Sequence, residues 1–109
     1  MINIVLYHNS EKQLCGYCIS GHAGFAQKGE DIVCAAVSAL CINTINSIEA
    51  FTKDTFQLES NEKTGMVRLK FTGEISKESK LLMDSLILGL KNIEEAYGEE
   101  YIKIRFKEV

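Results

Sequence analysis

The stretch from about Ile32 to Phe51 constrains this chain more than any other. Val33, Val37, Leu40, Thr44, Ile48 and Phe51 recur at helical spacing along one side, and Cys41, Ile42 and Ile45 widen the stripe. Ala35, Ala36 and Ala39 let neighbours approach closely. A helix this apolar must be largely covered by other elements. Asp31 suits its N-cap, because a carboxylate there accepts hydrogen bonds from the free amides of the first turn. With Asp31 as cap, Cys34 is the third helical residue, where amide donors and the positive end of the helix dipole favour a thiolate over a thiol.

The rest of the chain supplies a sheet to cover that helix. Ile2 to Tyr7 reads as a first strand with both faces partly apolar, which suits a central position. The polar run from His8 to Lys12 turns the chain into a second strand, Leu14 to Ser20, and leaves His8 as a solvated turn residue. Phe56 to Glu59 gives a short third strand, and the run from Ser60 to Gly65 has a plain turn signature. Met66 to Thr72 alternates Val67, Leu69 and Phe71 against Arg68, Lys70 and Thr72. Ser76 is a good N-cap for a second helix from about Lys77 to Tyr97, ending near Gly98. Tyr101 to Lys107 closes the order as a clean alternating strand. The fold class is therefore α/β, a β-β-α-β-β-α-β sandwich in which two long helices pack on a mixed sheet.

The 109 residues fit a single domain, 1–109, around one core. The absence of proline and of Ser/Gly-rich tracts leaves no candidate linker. A charged fraction of 25% against 46% hydrophobic is the profile of an ordinary globular protein, and a net charge of -3 provides no global field for a nucleic acid backbone. No apolar run approaches the length of about 20 residues that crosses a bilayer, and the N-terminus has neither a basic n-region nor a small-residue cleavage site. The expected location is the cytoplasm, where four cysteines remain thiols rather than disulfides. The apolar positions on the two helices exceed what one face of a small sheet covers, which points to a homodimer.

Chemistry concentrates between the second strand and the first helix. His22 follows Gly21 at the strand end, with Gly24 and Gly29 in the loop before Asp31 and Cys34. A strand end facing a helix start brings an imidazole within reach of a thiol, so His22 and Cys34 read as a catalytic dyad, with the first-turn amides, that of Cys34 in particular, as an oxyanion hole. Free cysteine is often a buried core residue, and an isolated histidine usually satisfies loop carbonyls; the shared loop is what weighs against both plain roles. Asp31 is chiefly a cap, with orientation of His22 as its alternative job. Ser38, one turn after Cys34, lines the site or is an ordinary surface serine. Cys41, deep in the apolar stripe, should be inert.

Two other patterns carry less. Cys15 and Cys18, with His22 and Cys34, have the makings of a zinc set, but residues three apart in a strand point to opposite faces, so no metal is expected. Arg68, Lys70, Lys103, Arg105 and Lys107 form one basic face if the fourth and last strands are neighbours, although a solvated sheet face accounts for them as well.

Over essentially its whole length the chain resembles the ribosomal-processing cysteine proteases, the Prp family. The resemblance rests on Gly21-His22-Ala23-Gly24 followed by Gly29-Glu30-Asp31-Ile32-Val33-Cys34-Ala35-Ala36-Val37-Ser38. It implies a Cys-His endopeptidase with His22 as base, Cys34 as nucleophile and no cofactor. It also implies a substrate-binding loop between them, Ala23 to Glu30 with Phe25, that orders around the peptide. The implied substrate is the N-terminal extension of the large-subunit ribosomal protein L-twenty-seven, and the implied assembly is a homodimer. The competing expectation is a non-catalytic, peptide- or ribosome-binding dimer whose loop clamps a peptide without cutting it.

Overall fold

The computed structural model describes residues 1–27 and 30–109. Its elements follow the expected order: β1 (Ile2–His8), β2 (Leu14–Ser20), α1 (Ile32–Phe51), β3 (Phe56–Asn61), β4 (Met66–Phe71), α2 (Lys77–Tyr97) and β5 (Ile102–Glu108). The strands form one mixed sheet in the order β3-β4-β2-β1-β5, with β1 and β5 parallel and the other pairs antiparallel. Both helices pack on that sheet, as an α/β sandwich requires.

Register builds the core. Ile4 stands opposite Ile19 and Ile104, Leu6 opposite Tyr17, Tyr17 opposite Leu69, and Ile19 opposite Val67. Because side chains alternate across a pleated strand, these residues share one face. Val33, Val37, Cys41, Ile45 and Ile48 of α1 meet that face, together with Met83, Leu86 and Leu90 of α2. Each such side chain contributes roughly 1.5–3 kcal/mol when fully withdrawn from water. On the opposite face, Gly16 separates Tyr7 from Lys70 in register. The Lys70 ammonium reaches across it to lie 5.6 Å from the centroid of the Tyr7 ring.

The helix ends are set by side chains. Asp31 caps α1, and the Thr52 hydroxyl and amide both donate to the Ile48 carbonyl where it stops. Ser76 caps α2 through the Ser79 amide, and Gly98 ends it with φ +100.

Several sequence expectations change. The β4 and β5 strands are not neighbours, since β2 and β1 lie between them, so Arg68 and Lys70 are not on a strand adjacent to Lys103, Arg105 and Lys107. His8 is not a solvated turn residue: it is the last residue of β1, half-buried, and paired with Leu14 and Glu108. β3 runs two residues further than read, because Ser60 and Asn61 continue the ladder opposite Val67 and Met66. Finally, α1 is long and apolar enough to cross a membrane by length and composition, contrary to the reading of apolar runs. Here Val33, Val37, Cys41, Thr44, Ile45 and Ile48 are buried within the protein.

Candidate active site

At the end of β2 the chain leaves the sheet through Gly21, which has φ +86. A Cβ at this position would collide with the Met1 carbonyl oxygen, so only glycine lets the strand end pass the start of β1. The Gly21 amide donates to the Thr64 carbonyl at 3.0 Å, tying the strand end to the β3–β4 turn. His22 follows, exposed. Ala23 turns inward, is 3% exposed, and donates its amide to Cys34 Sγ at 3.1 Å.

Asp31 organises the other side. Its Oδ1 accepts the amides of Val33 and Cys34 at 3.1 and 3.0 Å, and its Oδ2 accepts the Phe25 amide at 3.2 Å. The cap expected from sequence therefore holds the helix start and the preceding loop together. Phe25 in turn places its ring edge-on to Tyr97 and Tyr101, with centroids 5.6 and 5.3 Å away.

These contacts surround a cleft of about 370 Å³ lined by His22, Gly24, Asp31, Cys34 and Ser38. A smaller space of about 100 Å³ lies beside it, also lined by His22, Cys34 and Ser38, with Gly21 and Gly65 added. The fold thus brings His22, Cys34, Asp31, Gly24 and Ser38 to one place. Ala23 supports the sulfur, Phe25 packs on Tyr97 of α2 and on Tyr101 just before β5, and Gly29 lies outside the described residues.

The electrostatics of Cys34 differ from the sequence expectation. Burial pushes the thiol up from its ordinary value; the Ala23 amide opposes this, but the Asp31 carboxylate raises it further by hydrogen bonding and charge. The first-turn amides were expected to favour a thiolate and to bind an oxyanion. Instead, those of Val33 and Cys34 are directed at Asp31. Asp31 itself is partly desolvated, yet its bonds from Cys34, Phe25 and Val33 hold it below the usual carboxylate range. The carboxylate is thus engaged as a cap on backbone amides. Cys41 is buried and its thiol is pushed up to about 12 by desolvation, which fits the inert role read for it.

Sequence reasoning missed three contributors. Tyr97 and Tyr101 carry no local signal, because their partner Phe25 is distant in the chain. Gly65 was visible only as a turn residue.

A thiol and an imidazole in one cleft at a strand-to-helix junction, on a small α/β scaffold, are the groups that a cysteine hydrolase uses. More closely, the chain belongs to the family described as Cysteine protease Prp, whose model matches residues 1–103. It is 27% identical over 107 residues to the ribosomal processing cysteine protease Prp of Staphylococcus aureus, covering 98% of this chain and 100% of that one. The Bacillus subtilis protein of the same description is 28% identical over 103 residues, covering 91% and 92%. Among solved structures, the essential ribosomal processing protease Prp from S. aureus with a covalently linked product peptide superposes with a TM-score of 0.92 at 27% identity, covering 98% of this chain and 100% of that one. The same protease with a substrate peptide gives a TM-score of 0.86 at 26% identity over the same shares. The chain is a cysteine protease by family and by fold.

Proposed function

We propose that this protease is a cytoplasmic endopeptidase that removes the N-terminal extension of ribosomal protein L-twenty-seven, with His22 as base and Cys34 as nucleophile. The observation that carries the assignment is the shared cleft: His22 and Cys34 line both adjoining spaces, and an amide donor already touches the sulfur. A ribosomal substrate is supported by the relatives, which are ribosomal processing proteases, and by the peptide complexes of the S. aureus protein.

Burial and the Asp31 carboxylate push the Cys34 thiol up, so the nucleophile needs a base to take its proton. His22 takes the thiol proton as sulfur bonds to the scissile carbonyl carbon. The C–N bond breaks, His22 returns the proton to the leaving amine, and a thioester remains. Water, deprotonated by His22, then releases the new carboxyl terminus and restores the thiol. The Cys34 amide donates to Asp31 and the Ala23 amide to the sulfur; among the described residues we assign the Ala23 amide, next to the attacking atom, to the developing oxyanion once the sulfur has bonded to carbon.

The protein is proposed to act as a homodimer, with no direct contact to nucleic acid or membrane. Ile42 and Phe51 of α1 and Leu81 and Leu88 of α2 are 55%, 74%, 69% and 63% exposed, a surface that a second copy would cover.

The deciding experiment is mass spectrometry of extended L-twenty-seven incubated with the wild type and with Cys34→Ala. A single N-terminal cut by the wild type alone establishes protease and nucleophile together. Intact substrate that co-elutes with the wild type would instead support a peptide-clamping module.

A further inference from the structure

The β3–β4 hairpin looks like a plain turn in the sequence, yet its tip ends against the candidate base. The Thr64 carbonyl accepts the Gly21 amide at 3.0 Å, which pins the tip one residue before His22. Gly65 comes next, with φ +68. A Cβ built on Gly65 would lie 3.2 Å from the Gly21 carbonyl oxygen, 3.4 Å from His22 Cε1 and 3.8 Å from His22 Nε2. Gly65 also lines the space of about 100 Å³ that His22 and Cys34 share.

Two separate requirements meet at this position. The positive φ alone would admit asparagine, which tolerates left-handed backbone. The close approach adds a second demand: a Cβ 3.2 Å from the Gly21 carbonyl oxygen requires that peptide, which leads into His22, to give by a few tenths of an ångström. The ring itself would be in ordinary van der Waals contact with that Cβ, so the displacement reaches the imidazole through the Gly21–His22 peptide. A general base acts only within hydrogen-bond reach of its proton, so a ring displaced by a few tenths of an ångström loses rate rather than substrate affinity.

We propose that Gly65 is a positioning residue for His22: the bare hairpin tip sets where the imidazole sits relative to Cys34. This rests on the assignment of His22 as the base.

The test compares the wild type, Gly65→Ala, Gly65→Asn, Gly98→Ala and His22→Ala in steady-state cleavage of extended L-twenty-seven, with proton NMR of the imidazole Cε1–H signals in the same samples. The chain has two histidines, so His22→Ala assigns the signals directly. Gly98 also has positive φ, but a Cβ there meets nothing within 4 Å, so its variant carries backbone strain without a new contact. Gly65→Asn keeps the turn conformation while adding a Cβ, which guards against a simple failure of Gly65→Ala to fold.

In both Gly65 variants kcat is expected to fall about tenfold with KM within about twofold, and the His22 signal to move. Gly98→Ala should match the wild type in both respects. Wild-type kcat in the Gly65 variants, or a loss of rate with an unmoved His22 signal, would overturn the proposal. Failure of the wild type to cut, or cutting by His22→Ala, removes the assignment of the base instead; the NMR signal then decides alone whether Gly65 positions the ring.

Discussion

Asp31 accepts the backbone amide of Cys34 at 3.0 Å, and that bond places a carboxylate, rather than the thiol, at the donors of the helix start. The first-turn donors stabilise a carboxylate rather than a thiolate, and the carboxylate adds its own charge beside the sulfur. The Cys34 pKa consequently lies above its ordinary 9.0, with burial as the larger cause and Asp31 as a further one.

Asp31→Asn should therefore make Cys34 more reactive. Asparagine retains a side-chain oxygen for the cap but removes the charge. The alkylation rate at pH 8 should rise several-fold, and the midpoint of its pH profile should move down. Burial remains in the variant, so the gain stays modest. Iodoacetamide labelling followed by peptide mass mapping measures it, and a rate no higher than that of the wild type would contradict the role given to the carboxylate.

Phe25 should hold the loop through its two tyrosine contacts. Edge-on aromatic pairs are worth about 0.5–1.5 kcal/mol each beyond their buried area, and Phe25 makes two while remaining 40% exposed. Phe25→Ala is expected to lower the melting temperature by a few degrees. It should also speed hydrogen exchange at the residue-25 amide, which bonds to Asp31. Unchanged exchange at that amide would mean that Asp31 alone fixes the loop.

Asp54 links the end of α1 to the start of α2. Its Oδ2 accepts the Ser76 amide at 2.9 Å and the Ser76 hydroxyl at 2.7 Å. Hydrogen bonds from the Ser79 and Ser76 hydroxyls and the Ser76 amide hold its pKa below the ordinary 3.8. A carboxyl depressed on folding adds stability that is present above its unfolded pKa and is lost as pH falls through the folded one. Asp54→Ala should thus cost about 1–2 kcal/mol in urea unfolding at pH 7. The gap between wild type and variant should narrow as the pH drops below about 4. A gap independent of pH would point to packing rather than charge.

Much of this protein is legible along the chain because its causes are local. The spans of α1 and α2 follow from apolar spacing together with Asp31 and Ser76 as caps, and both helices occupy the expected residues. The loop carrying His22, Asp31 and Cys34 was recognisable because two motifs stand close together in one stretch. Residues far apart in sequence gave no such warning. Nothing near Phe25 announces Tyr97 and Tyr101, and a turn glycine at 65 does not reveal that His22 lies against it.

The sequence by itself determined the order of the elements, the caps of both helices and the stretch that carries the histidine and the cysteine of one cleft, since periodicity and capping act within a few residues. Tertiary structure alone decided the rest. It set β2 and β1 between β4 and β5, buried Cys34 beside the Asp31 carboxylate and so raised its pKa, and brought the hairpin tip against His22. Strand order, hydrogen-bond partners and local dielectric depend on what packs across space, and no local pattern encodes which distant groups those will be.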